Sequence, residues 1–175
     1  MVDMIRIEDF EGDAPWVPAP APPARLPDDL IAGVVATPLV LNTDARGSLV
    51  VLKDSTAEGD EPIVFVYRVT AEPGSIRAWV FHNRQSDRLA FTEGHFRIVL
   101  HDIRPTSPSY GAVNVIEAGQ DNPLCLRIPP CVVHGVKNDG ARASFVNMPT
   151  RAYDPAQPDK QRVRYPDPRI PYDFG

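Results

Sequence analysis

The sequence is poor in cysteine, with only Cys125 and Cys131 among 175 residues. The two do not form a CxxC pair, so the chain has neither the ligand spacing of a zinc knuckle nor a disulfide framework. Free thiols in a reducing compartment are the simpler interpretation. A chain of this length buries about two thirds of its unfolded surface, so we expect one domain that needs no disulfide or structural metal to fold.

Surplus positive charge and long apolar runs are also missing. The chain has 18 Lys and Arg against 23 Asp and Glu, which argues against nucleic acid as the main partner because phosphate binding depends on basic side chains. The longest apolar run, IAGVVATPLVL, contains a proline and is much shorter than a membrane span of about 20 residues. The acidic start MVDMIRIEDFEGD does not resemble a secretory signal. We therefore expect a cytoplasmic protein that binds neither nucleic acid nor membrane.

Proline, in contrast, is abundant, with 20 residues in the chain. The stretch APWVPAPAPPARLPD at 14–28 combines proline with few side chains to bury, which favours an extended, polyproline-like arm. We assign residues 1–32 to this arm. The C-terminal stretch RVRYPDPRIPYDFG at 162–175 is also rich in proline and aromatic residues, and we interpret it as a packed irregular tail.

From residue 33 onward the sequence consists of short runs rich in Val, Ile, Leu and Phe, separated by Gly, Pro, Asp and Asn. No long segment has a helical period, apart from a turn in the arm or after Pro155. The pattern therefore predicts an all-β sandwich or barrel, an architecture that also protects strand edges. The predicted strands are 33–41, 48–53, 62–70, 75–82, 88–91, 95–102, 111–118, 123–129, 132–138 and 143–148.

Two histidines lie on these predicted strands. His82 shares a strand face with Val80, and His134 shares one with Val132 and Val136, so both imidazoles are candidates to line an apolar interior that holds one small ligand. Arg77 has the opposite parity to His82 and would point inward with it only if a bulge lies between them.

These residues are part of a wider resemblance to the cupins, which are jelly-roll barrels also called double-stranded β-helices. The match is to both cupin motifs, Gly74–Gly94 and Pro129–Asn138, and it covers residues 33–175 as one RmlC-like cupin domain. Five segments in order resemble the dTDP-4-dehydrorhamnose 3,5-epimerases, and the first of them also resembles the related 3,4-ketoisomerases. They are DARGSLV at 44–50, SIRAWVFH at 75–82, SPSYG at 107–111, IPPCVVHGVKN at 128–138 and DPRIPYDF at 167–174.

The sequence departs from this family at the residues that carry its chemistry. The resemblance puts Val80 where the family has its catalytic base, a histidine, and Asn147 where it has a proton-donating tyrosine. Asp87 stands where a lysine helps to stabilise the enolate. The family's supporting aspartate lies in a segment beyond the last residue of this sequence. Losing a positioned base costs about 10²–10⁴-fold in rate, so the family's own mechanism does not carry over unchanged.

His82 offers a replacement base, because it matches the second histidine of the HxH pair in the ketoisomerase-like motif. The resemblance then predicts an isomerase that enolises a dTDP-4-keto-6-deoxysugar or a related ketosugar, without a cofactor, in deoxysugar or polysaccharide biosynthesis. It also predicts a homodimer. The predicted catalytic residues are His82, Tyr153 and Asn147, and the predicted substrate-binding residues are Arg46, Arg77, Gln85, Arg88, His134 and Lys137.

Three alternatives remain open at this stage. The first is a cupin that binds a sugar nucleotide without turning it over. The second is a metal-dependent cupin that uses His82, Asp87 and His134, a ligand set suited to Fe(II) or a similar ion. The third concerns Arg46, which either binds a pyrophosphate or has a purely structural role in a turn with Asp44.

Overall fold

A computed structural model describes residues 4–15, 17, 19–54 and 61–175 of the chain. Residues 1–3, 16 and 18 of the predicted arm and residues 55–60 lie outside this description. The described residues form a short 3-10 helix at Ile7–Asp9 and twelve β-strands. The strands are β1 Val35–Pro38, β2 Leu41–Asp44, β3 Gly47–Val50, β4 Tyr67–Ala71, β5 Ile76–His82, β6 Asp87–Phe91, β7 His95–Asp102, β8 Val113–Gly119, β9 Leu124–Ile128, β10 Val132–Asn138, β11 Ala143–Asn147 and β12 Lys160–Arg162.

Ten of these strands form two five-stranded antiparallel sheets. One sheet has the order β1-β9-β6-β11-β4, the other has the order β12-β5-β10-β7-β8, and β2 and β3 form a separate hairpin. Alternating side chains of both sheets fill the space between them, where Phe91, Phe96 and Phe145 pack with ring centroids 4.9–5.6 Å apart. The all-β sandwich or barrel predicted from the strand pattern is confirmed.

Strand β10 shows how the alternation works. Val132 and Val136 are buried in the interior core, whereas Val133 packs on the outer face of its sheet with Trp79. His134 lies between the two interior valines and is itself buried, as its parity predicts.

The two ends of the chain differ in their packing. Residues 4–15, 17 and 19–23 are exposed, whereas Ile31 is buried and its backbone N–H donates to Oδ1 of Asn114 at 2.8 Å. At the other end, the tail covers the outer face of the second sheet, where Phe174 stacks on Trp79 with ring centroids 5.2 Å apart. None of the described segments forms a helix with the length and apolar character needed to cross a membrane.

Three predicted strand assignments differ from the structure. The strand expected over 33–41 is divided, since β1 ends at Pro38 and β2 begins at Leu41. The strand expected over 62–70 begins only at Tyr67, because β4 is the edge of its sheet and the preceding apolar side chains Ile63–Val66 are exposed. Strand β12 follows the stretch after Pro155, where the sequence indicated at most a helical turn. This strand pairs with β5 and places Lys160 opposite His82.

A β-bulge interrupts the pairing of β5 with β10. His134 pairs with Val80 and Val136 pairs with Arg77, so β5 contributes one residue more than β10 between these points. Gly135 lies opposite this irregularity, and a Cβ atom there would lie 2.6 Å from Cβ of Ala78 and 3.0 Å from Cε3 of Trp79. The missing side chain therefore lets β5 approach β10 closely.

We predict that Gly135→Ala destabilises the fold, because the added methyl group forces β5 away from β10. Overpacking of this kind costs about 1–3 kcal/mol in the free energy of unfolding, which chemical denaturation measures. Gly12→Ala is the matched control, since no atom lies within 4 Å of a Cβ at Gly12. An unchanged denaturation midpoint for Gly135→Ala would contradict this account of the bulge.

Candidate active site

Three buried side chains meet between the two sheets. His82 ends β5, His134 lies in the middle of β10, and Asp87 begins β6 of the opposing sheet. Oδ2 of Asp87 lies 3.3 Å from Nε2 of His82 and 3.4 Å from Nε2 of His134. One donor atom from each residue lies within 4.8 Å of the other two. The sheets thus bring one carboxylate and two imidazoles to a common point.

Asp87 is ionised in this arrangement. Burial raises the pKa of its carboxyl, but the contacts and charges of His134 and His82 outweigh burial and hold the pKa well below its usual range. The other carboxylate oxygen, Oδ1, accepts a hydrogen bond from Nε2 of Gln85 at 2.9 Å. Asp87 is therefore a fixed negative charge beside both histidines.

The two imidazoles have different surroundings. Nδ1 of His134 lies 3.1 Å from the carbonyl oxygen of Val132, and because a carbonyl only accepts, this nitrogen carries a proton. Neither ring nitrogen of His82 has a hydrogen-bond partner, so its contact with Asp87 is close but poorly aligned. His82 is consequently the less constrained of the two rings.

His82 also lines a cavity of about 600 Å³ that opens beside the cluster. Four cationic side chains contribute to the walls, namely Arg84, Arg151, Lys160 and Arg162. Asp159 fixes one side of the opening, since its carboxylate accepts from the backbone N–H groups of Arg84 and Gln85 at 3.0 and 2.9 Å. An acidic chain thus presents a locally basic cavity, which suits an anionic ligand.

Most of the cavity residues were not among the predicted site residues, and Tyr67 and Lys160 are two of those that were missed. Tyr67 shares its strand parity with Val69, which packs against the core, so parity alone would have placed this ring inside. The segment around Lys160 has no alternation of apolar and polar residues, so the sequence contains no comparable signal there. Burial and the charge of Arg162 lower the pKa of the Lys160 amine.

The structure brings some of the predicted site residues to the cavity. His82, Gln85 and Tyr153 line it, and His134 contacts the same carboxylate as His82. Asn147 lies just behind the wall, where its Nδ2 donates to the Tyr67 hydroxyl at 2.8 Å.

The remaining four predicted residues do not line this cavity and contact other parts of the protein. Arg46 is exposed in the β2–β3 hairpin, and its Nε donates to Asp44 at 3.0 Å, which corresponds to the structural alternative. Arg77 is exposed despite the bulge and donates to the carbonyl of Thr70. Arg88 is buried and donates to the carbonyl of Glu61, while Lys137 donates to that of Phe174. Their ligand contacts stay predictions.

Comparisons with known proteins show which family the chain belongs to. A family model described as dTDP-4-dehydrorhamnose 3,5-epimerase matches residues 30–174. The chain is 32% identical over 147 residues to the spore coat polysaccharide biosynthesis protein SpsL of Bacillus subtilis, covering 83% of this chain and 97% of that protein. It is 36% identical over 131 residues to the probable low-salt glycan biosynthesis epimerase Agl13 of Haloferax volcanii, covering 73% and 83%.

Solved structures show the same fold. A dTDP sugar isomerase from Desulfovibrio desulfuricans superimposes with a TM-score of 0.77 at 24% identity, over 86% of this chain and 94% of that one. NovW, a 4-keto-6-deoxy sugar epimerase from Streptomyces spheroides, gives a TM-score of 0.74 at 20% identity, over 91% and 83%. The predicted RmlC-like cupin fold is confirmed, and the chain belongs to the dTDP-4-dehydrorhamnose 3,5-epimerase family.

Proposed function

We propose that this protein is an isomerase that enolises a nucleotide-linked 4-keto-6-deoxysugar, with His82 as the base. The observation that carries the proposal is the pairing of His82 with the buried carboxylate of Asp87 at the wall of the cavity. Val80 cannot accept a proton. His82 supplies this function from another position, and Asp87 supplies the carboxylate beside it.

The proposed reaction begins with proton removal. His82 takes the proton from a carbon next to the ketone, and the negative charge of Asp87 stabilises the imidazolium that forms. Lys160, which pairs with His82 across β5 and β12, is placed to stabilise the developing enolate oxygen. Arg151 and Arg162 supply positive charge for the diphosphate of the sugar nucleotide. The homodimer and the cytoplasmic location stay predictions.

We predict that His82→Asn abolishes enolisation without unfolding the protein. The experiment follows deuterium uptake at C3 and C5 of dTDP-4-keto-6-deoxyglucose by proton NMR in deuterated buffer. Removing the base should slow uptake by about 10²-fold or more. His95→Asn is the matched control, because His95 is half exposed and lies outside this cavity. Undiminished uptake in His82→Asn would rule out His82 as the base. Nucleotide-sugar binding by the wild type with no uptake would favour the non-catalytic alternative.

We predict that Asp87 contributes stability that acid removes. The folded-state pKa of Asp87 is depressed, so its contribution is complete above the unfolded pKa of about 3.9 and is lost as the pH falls through the folded value. The measurement compares the free energy of unfolding of the wild type and Asp87→Asn from pH 7 down to pH 2. The difference should persist at pH 5 and shrink below about pH 4. Asp121→Asn, at an exposed carboxylate, serves as control, and a pH-independent difference for Asp87→Asn would contradict the assignment.

A second candidate is a metal-dependent cupin, which the donor geometry favours. Nδ1 of His134 donates to the carbonyl oxygen of Val132, which leaves Nε2, 3.4 Å from Oδ2 of Asp87, as the ring atom that would bind a cation, and one donor atom from each of His82, Asp87 and His134 lies within 4.8 Å of the other two. His82, Asp87 and His134 would hold an ion such as Fe(II), which would supply Lewis-acid or redox chemistry.

We expect the metal-dependent alternative to be decided by calorimetric titration with Fe(II), Mn(II) and Zn(II) and by elemental analysis of the purified protein. If this alternative holds, His134→Ala should abolish metal binding, because two ligands remain. An absence of bound metal, together with no activation by any of the three ions, would exclude it.

A further inference from the structure

Tyr67 and His82 line the same cavity from opposite sides. His82 ends β5 in the sheet β12-β5-β10-β7-β8, whereas Tyr67 begins β4 in the facing sheet β1-β9-β6-β11-β4. Both residues contribute to the wall of the 600 Å³ cavity. A sugar ring bound between the sheets would therefore have the imidazole on one face and the phenol on the other.

Asn147 fixes the Tyr67 hydroxyl and determines its role. The two residues are directly paired in the ladder between β11 and β4, and Nδ2 of Asn147 donates to the phenolic oxygen at 2.8 Å. Because the hydroxyl accepts this bond, its own hydrogen is available for a ligand in the cavity. Asn147 is buried and does not line the cavity, so it acts on the ligand only through Tyr67.

We propose that Tyr67 is the proton donor of this site and Asn147 its positioning residue, so that the enzyme inverts the configuration of the carbon that His82 deprotonates. This inference rests on the proposed function. It distinguishes epimerisation, which needs a donor on the face opposite the base, from ketoisomerisation, in which a base on one face can return the proton to another carbon.

The proposed step is balanced in protons and electrons. His82 takes the proton from the carbon next to the ketone, and the electron pair of that C–H bond forms the enolate. The enolate then collapses to the ketone as the same carbon takes the phenolic proton of Tyr67 from the opposite face. The imidazolium releases its proton to solvent and the phenolate takes one from solvent, so the enzyme is regenerated without a cofactor.

The surroundings of Tyr67 keep it in the protonated form that this role requires. Burial, followed by the negative charge of Asp87, raises the pKa of its phenol. The same negative charge disfavours a lasting phenolate and so drives the reprotonation of Tyr67 after each turnover.

The test separates deuterium uptake from formation of the epimer. With dTDP-4-keto-6-deoxyglucose in deuterated buffer, Tyr67→Phe should keep the uptake that depends on His82 and lose epimer formation by about 10²-fold or more. Tyr110→Phe is the matched control, because Tyr110 is 63% exposed and lies outside the cavity. Normal epimer formation by Tyr67→Phe would overturn the proposal.

Tyr153 provides the competing assignment, because it is the other tyrosine on the cavity wall. It is 62% exposed, so solvent can replace its hydroxyl, and Tyr153→Phe should reduce epimer formation less than Tyr67→Phe does. Loss of the epimer in Tyr153→Phe with retention in Tyr67→Phe would assign the donor to Tyr153 instead.

Asn147→Asp tests the positioning role with little change in shape. A carboxylate at this site accepts the Tyr67 hydrogen in place of donating to its oxygen. Epimer formation should therefore fall in Asn147→Asp while deuterium uptake continues, and an unchanged ratio of epimer to uptake would overturn the role of Asn147.

If the wild type shows no deuterium uptake, the proposed function itself fails. Deuterium uptake in the wild type, together with normal epimer formation by Tyr67→Phe, would overturn only the donor assignment.

Discussion

The site depends on one buried charge, the carboxylate of Asp87. Burying an isolated carboxylate costs more free energy than a small domain can spare, and this one is tolerated because His82, His134 and Gln85 surround it. Since Asp87 comes from one sheet and the histidines from the other, the cluster also ties the two sheets together beside the cavity. The same cluster places His82 at the wall of the cavity.

This arrangement explains how the chain can differ from its family at the usual catalytic positions and still have a base, a carboxylate and a cationic group at or beside its cavity. The substitution of Val80 removes an imidazole, but His82 lies two residues further along β5. Asp87, at the position where the family resemblance expects a lysine, supplies the carboxylate beside it. A cationic group that can replace the family's lysine is also present, because β12 places Lys160 opposite His82. Each lost group thus has a candidate replacement on a neighbouring part of the same cavity.

The sequence predicted the fold and part of the site for identifiable reasons. Alternating apolar residues predicted most strands, and parity placed His134 among interior valines because β10 is regular there. Parity was less informative for Arg77, since the bulge in β5 changes the alternation and the guanidinium bonds to Thr70 instead of reaching the cavity. Lys160 was missed because β12 is a three-residue strand on a sheet edge. Such a strand has no pattern of its own and exists only through its pairing with β5.

The two proposed replacements have a common geometric basis. Residues i and i+2 of a strand point to the same face and lie about 7 Å apart, so moving the base from position 80 to His82 leaves it on the same face of β5. Paired residues of neighbouring antiparallel strands lie about 5 Å apart, so moving the acid from position 147 to its partner Tyr67 shifts it by about that distance, onto the cavity wall. A substrate that uses both groups must bind displaced from the position that the family's own residues would favour. Residues 149, 151–154, 157–160 and 162 line the cavity and provide walls and positive charge for a substrate bound in that displaced position.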